Sequence, residues 1–290
     1  MAHHGLDVAV LGPWSLATSK AFWEGFAPAP LVTRDQGDHL RSVFRAEGDW
    51  RRAEVEVSQG DGTARVALRG CGDLEAAAAQ ACRFLSLDVD ARGWPDVGER
   101  DRVIADAQAR LPGLRPCGFH SPYEAACWSV LSQRIRVTQA ARLRDDLVRR
   151  HGDEGAFPAP TVLCSIDLDL PGPKAEYLRA VAEAALEGRL DGAALRSVEP
   201  DEAVRVVREV RGLGPFGAEL VVARGANAPD ALPRHERRLE AEVTERYGAG
   251  STLAEVSEAW RPFRTWAAVS LRALRESRTQ EQGGGPRPGR

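Results

Sequence analysis

The stretch Asp201–Ala223, "DEAVRVVREVRGLGPFGAELVVA", limits the fold more than any other part of the chain. Two segments with helical apolar spacing are parted only by Arg211-Gly212-Leu213-Gly214, so the helices they form must turn back on each other. Gly212 and Gly214 let the backbone pass through left-handed conformations or approach a neighbour closely. Pro215 suits a first helical position, where amides are unpaired and point outward. Such an end favours an anion, with a duplex phosphate as the natural candidate. Taken alone, the pattern is that of an ordinary packed helical hairpin more often than of a binding site.

The surroundings of this hairpin read as helix throughout. From Ser121 onward, "SPYEAACWSVLSQRI" has Ser121 as N-cap, Pro122 at the first helical position and Glu124 closing a capping box. "RVTQAARLRDDLVRRHG", "KAEYLRAVAEAALEG", "RRLEAEVTERYG" and "LAEVSEAWRPFRTWAAVSLRALRES" follow, separated by short Gly/Pro turns. The amino-terminal part differs. Leu6–Gly12, Ala53–Gln59 and Ala64–Gly70 alternate like half-buried strands, the last two joined by the "GDG" hairpin signal. "SLATSKAFWEGF", through Leu16, Phe22, Trp23 and Phe26, and "GDLEAAAAQACRFLSL" (Gly72–Leu87) add two helices, with Ser15 and Asp73 as caps. The expected fold class is α+β: a small amino-terminal antiparallel sheet with two helices over residues 1–112, then an all-α domain over 113–279. The polar, Pro/Gly-rich residues 280–290 read as a disordered tail.

Composition narrows the function classes. Net charge is −3, so no global basic field marks a polyanionic partner, although a local patch suffices. Lys20 and Lys174 are the only lysines; arginine supplies the remaining basic charge. The five cysteines form no CxxC pair, which gives neither a zinc site nor a disulfide framework. No apolar run approaches the length of a membrane span, and the start lacks a signal-peptide pattern. The expectation is a cytoplasmic, monomeric protein without membrane partners.

The order of the motifs resembles that of the helix-hairpin-helix DNA glycosylase superfamily, in its AlkA-like 3-methyladenine glycosylase II branch. The hairpin "GLGPFGA", Arg224-Gly225 and "DALPRHERRL" stand where the branch has "GIGPWTA", "RG" and "DVFPADDLAL". "SPYEAACWSVLSQRIRVTQAARL", "LPGPKAEYLRAVAEAALEG" and "WRPFRTWAAVSLRAL" resemble three further segments, so that the likeness runs from about Leu111 to Ser277. It implies a monofunctional DNA glycosylase that flips a damaged base, expected to be alkylated, out of double-stranded DNA and excises it in base excision repair.

Residue by residue, the resemblance implies that the amides of Gly212, Gly214 and Gly217 hold a DNA phosphate. It puts a monovalent cation, Na⁺ or K⁺, on the carbonyls of Arg208, Val210 and Leu213. The acid beneath the sugar falls on Glu236, a glutamate where the family has aspartate, with His235 beside it. Phe216, Leu220, Arg272 and Trp128 fall in the base pocket, and Gln133 and Arg134 at the positions that fill the gap left by a flipped base. Phe216 occupies the place of the Schiff-base lysine of strand-cutting relatives, and no four-cysteine cluster follows Ser277, so neither lyase chemistry nor an iron–sulfur cluster is expected. No cofactor is required. The lengthened acid and altered pocket leave two alternatives: a lesion-binding or DNA-binding protein without activity on the same scaffold, and a helical interaction module.

Overall fold

The computed structural model describes residues 2–25 and 38–283. Phe26, included in the first expected helix, lies outside them. Four strands, β1 (Ala2–Ala9), β2 (His39–Arg45), β3 (Arg52–Gln59) and β4 (Thr63–Gly70), form an antiparallel sheet of order β1-β4-β3-β2. The β3–β4 hairpin is as expected, with Val57 opposite Val66. β1 begins earlier than expected, because all eight of its residues pair along β4, from Ala2 opposite Gly70 to Ala9 opposite Thr63.

β2 was not expected at all. Its inward positions are Leu40, Ser42 and Phe44, and the serine breaks the apolar alternation that would have marked a strand. Ser42 is tolerated there because its hydroxyl is 2.8 Å from Nε2 of the buried His120. That imidazole is stacked between Phe44 and Phe84 and ties the sheet to the helical part.

Helices α1 (Leu16–Glu24) and α2 (Leu74–Phe84) cover the inner face of the sheet, capped by Ser15 and Asp73. Next come α3 (Trp94–Arg100), α4 (Arg102–Arg110), α5 (Pro122–Leu131), α6 (Val137–His151), α7 (Pro160–Ser165) and α8 (Lys174–Leu186). The chain continues through α9 (Gly192–Arg196), α10 (Pro200–Arg208), α11 (Pro215–Leu220), α12 (Arg237–Tyr247), α13 (Leu253–Val256) and α14 (Arg264–Gly283). The last of these extends four residues into the segment read as a tail.

Packing distributes the described residues over three apolar clusters. The sheet with α1 and α2 makes one core, and α5 to α11 surround a second. The third joins α3 and α4 to α12 and α14: Trp94 meets Phe263 and Trp266 edge-on at 5.8 and 5.7 Å. Residues 89–110 thus pack against the carboxy-terminal helices, with the central core inserted between them in sequence.

Arg115 fastens two of these cores together. Its fully buried guanidinium donates to the carbonyls of Leu11, Pro13, Ser86 and Val89 and lies over the Trp266 ring. Burial pushes its pKa down to about 10, which leaves it charged at neutral pH.

A second buried contact, between the sheet's β2–β3 turn and α9, carries a pH signature. Glu47 Oε2 accepts from Arg83 Nη2 at 2.6 Å and from the Gly192 amide at 3.1 Å, while Oε1 is buried without a donor among the described residues. Burial, which outweighs the attraction of Arg83, pushes the Glu47 pKa up to about 7 from an ordinary 4.5. The folded protein therefore binds this proton more tightly than the unfolded chain. The resulting stability is complete below the unfolded pKa and is lost as pH rises through the folded one, a change on the order of 3 kcal/mol. The melting temperature is expected to fall between about pH 4.5 and 7 in the wild type. Glu47→Gln should flatten that part of the curve, as thermal melts across the window will test.

Candidate active site

The hairpin forms as the sequence requires. α10 ends at Arg208, the chain turns through Glu209–Gly214, and α11 starts at Pro215. Gly212 adopts φ +93°, and a Cβ there would lie 2.5 Å from Tyr177 Cγ, so the turn itself needs this glycine. Gly217 packs against Ser129 of α5, whose hydroxyl would be 2.3 Å from an added Cβ. Gly214 differs from both. Its φ of −84° suits any residue, and an added Cβ would meet nothing within 4 Å. The amides of Gly212, Gly214, Phe216 and Gly217 have no backbone acceptor among the described residues. α11 then passes into a single π turn, Val221–Gly225, in which the Ala226 amide reaches Val221 O at 2.8 Å.

The carbonyls assigned to a cation lie at this same turn. Val210 O already accepts from the Leu213 amide at 3.1 Å, and each carbonyl has a second lone pair. Neutral oxygens of this kind suit a monovalent ion. Among the described residues there is no group of three or more histidine, cysteine or carboxylate side chains able to hold a metal.

Next to the hairpin is the α5–α6 loop. Gln133 Nε2 donates to Gly212 O at 2.7 Å, so this side chain joins the loop to the hairpin. Lys174, buried at the start of α8, donates to Val130 O and Gln133 O, both at 2.8 Å, and caps the end of α5. Arg134, by contrast, is exposed and held at φ +57°, an uncommon conformation for a residue with a side chain.

Glu236 is the N-cap of α12. Its carboxylate accepts from the Arg238 amide at 3.1 Å and retains 22% of its side-chain surface. The residue before it is fixed to the hairpin: Glu219, on α11, accepts from the His235 amide at 2.9 Å and lies 2.7 Å from His235 Nδ1. Glu236 is therefore next to the second hairpin helix. Phe216, Glu219 and Leu220 are spaced three and four apart, so they lie on neighbouring positions of the α11 surface, where Glu219 meets this loop.

Arg272 of α14 completes the group, with Nε 3.9 Å from Glu236 Oε1 and Nη2 2.6 Å from Glu276. It faces the carboxylate rather than open solvent, and Glu276 balances its charge. Arg224, in the π turn, lies within the field of the same groups. It donates to Cys117 O and sits over Phe22, and burial pushes its pKa down to about 10.

The expected pocket residues fare differently. Phe216 is 41% exposed, which is unusual for a large apolar ring and leaves its face available. Leu220 is half-buried against the central core, and Trp128 belongs to that core. Glu219 and Lys174 were not singled out in the sequence. The available signal for Glu219 was one carboxylate inside the apolar run Ala218–Ala223.

Exposed arginines surround this face. Arg134, Arg136, Arg208, Arg237 and Arg238 are exposed and have no ion-pair partner among the described residues. Arg211 is paired with Glu176, and Arg234 with Asp201.

No family model matches the chain. It is similar to a DNA-3-methyladenine glycosylase of Bacillus subtilis (strain 168), 25% identical over 209 residues, which cover 65% of this chain and 68% of the relative. It is also similar to DNA-3-methyladenine glycosylase 2 of Escherichia coli (strain K12), 27% identical over 190 residues, or 59% and 65% of the two chains. The matched region thus spans about two thirds of each curated relative. The fold is shared with a 3-methyladenine DNA-glycosylase from Archaeoglobus fulgidus, with a TM-score of 0.71 at 19% identity over 92% of this chain and 96% of the other. Together with the hairpin, the acid-bearing loop and the four-stranded sheet ahead of the helices, these likenesses support a relationship to the AlkA-like DNA-3-methyladenine glycosylases.

Proposed function

We propose that the protein is a monofunctional DNA glycosylase that removes an alkylated base from duplex DNA, with Glu236 as the reactive carboxylate. The observation that carries this reading is the position of Glu236, partly exposed at a helix start and linked through His235 to the hairpin helix. As the bond to the base stretches, positive charge grows on the sugar. A fixed carboxylate beneath it lowers that barrier electrostatically or orients an attacking water. An N-alkylated base already carries positive charge and leaves without a strong general acid.

The hairpin amides would take a phosphate, and Gly214 leaves room for one to approach. Arg208, Val210 and Leu213 would hold a monovalent ion there, adding positive charge near that phosphate. Arg134 would enter the gap left by the flipped nucleotide. Gln133, engaged with Gly212 O, would hold the loop against the hairpin. A lyase step needs a lysine amine at the sugar; Lys174 is instead consumed by two carbonyls, and Lys20 lies on α1.

A second reading, binding without excision, is favoured by the engagement of Glu236 with its own helix start and by Arg272 nearby. A panel of duplexes with single lesions, followed by alkali cleavage at abasic sites, separates the two. Abasic product is expected from at least one N-alkylated base; tight binding without product would favour the second reading.

If the exposed arginines contact phosphate, the logarithm of affinity should fall with the logarithm of salt by about 0.9 for each contact. Arg237→Ala should reduce that slope by about one. A salt-independent affinity would overturn the DNA-binding part of the reading.

A further inference from the structure

The side chain of Glu219 is 5% exposed on α11, whose other residues are apolar or small. Burying a carboxylate is unfavourable unless specific donors replace water. The donors in this case are both from His235: its amide to Oε2 at 2.9 Å, and its imidazole Nδ1 at 2.7 Å from Oε1. His235 itself is more than half exposed, so the pair contributes little apolar burial. Its effect is geometric. It fixes the residue immediately before Glu236, and the anchor is the same helix whose first turn forms the hairpin.

The connecting chain offers few other restraints. From Pro233 to the start of α12, the Arg234 amide reaches Leu232 O at 3.0 Å and the Glu236 amide reaches Pro233 O only at 3.4 Å. The Arg234 side chain points to Asp201 of α10. Glu219 therefore supplies the strongest tie between this loop and α11.

We propose that Glu219 is a positioning residue, which through His235 sets the place of the Glu236 carboxylate relative to the hairpin. This rests on the reading of Glu236 as the reactive carboxylate. Phosphate capture by the hairpin and the placing of the acid under the sugar then share one rigid element, α11. Displacing a catalytic carboxylate by on the order of an ångström lowers rates by about 10–100-fold even when binding survives.

The test uses the full chain and methylated duplex DNA, with release of N-methylpurines followed under single-turnover conditions. Affinity for a duplex with a stable abasic-site analogue and the melting temperature are measured in parallel. Glu219→Ala is expected to lower the release rate by about 10–100-fold, with affinity changed less than about threefold. Glu219→Gln keeps an acceptor for the His235 amide and should recover part of that loss. His235→Ala, which keeps the main-chain bond, should be milder than Glu219→Ala.

A wild-type rate in Glu219→Ala, with Glu236→Gln inactive, would overturn the positioning role and leave the role of Glu236 intact. Equal losses of rate, affinity and melting temperature in both Glu219 variants would make the residue merely structural and also overturn it. If wild-type protein releases no methylpurine, or Glu236→Gln releases it at the wild-type rate, the underlying reading of Glu236 falls instead.

Discussion

Replacing Glu236 by glutamine is expected to lower the single-turnover rate of base release by about 100–1000-fold, with duplex affinity nearly unchanged. Glutamine has nearly the shape of glutamate and keeps an acceptor for the Arg238 amide, so the cap on α12 survives. What disappears is the negative charge, and its electrostatic effect is greatest when the sugar is most cationic. The rate should therefore fall while binding of the intact duplex does not. Arg272, 3.9 Å away, would lose one of two nearby carboxylates but keep Glu276. Rate and affinity measured on the same preparation give the result directly. An unchanged rate would remove Glu236 from the chemistry.

Two hairpin glycines should separate folding from binding. Gly212→Ala puts a Cβ 2.5 Å from Tyr177 Cγ at φ +93°, and is expected to destabilise the protein by about 2 kcal/mol or more. Gly214→Val meets no atom within 4 Å at its Cβ and keeps an allowed φ, so the melting temperature should hardly move. Its side chain would instead occupy the space in front of the unpaired amides, and duplex affinity is expected to fall at least about tenfold, or 1.4 kcal/mol. Thermal melts and duplex titrations of both variants form one experiment. A Gly214→Val protein that binds DNA as tightly as wild type would exclude phosphate capture at this turn.

Much of this arrangement was legible because it is local. The GLG turn, the cap at Ser121, and the β3–β4 hairpin are each specified by residues within a few positions of one another, and each forms as read. β2 was hidden by Ser42, whose burial depends on His120, 78 residues away. α3, only seven residues long, is too short to show a helical stripe, and α4, with Asp101 as its cap, was missed with it. Trp94 finds its partners only when Phe263 and Trp266 arrive from the far end of the chain. At the candidate site, Glu236 was identified through the family resemblance, whereas Glu219 was not. A carboxylate in an apolar run gives no sign of its partner until the loop bearing His235 folds back on α11.

The sequence by itself determined the turn, the helix starts and the order of the elements, since backbone preference and capping act between near neighbours. Only the tertiary structure decided that Glu236 stands beside the hairpin, that Arg272 faces it with Glu276 as counter-charge, and that Lys174 is a cap. Those outcomes depend on which distant groups share a small desolvated space. There, charges and hydrogen bonds act through proximity in space, which no local pattern records.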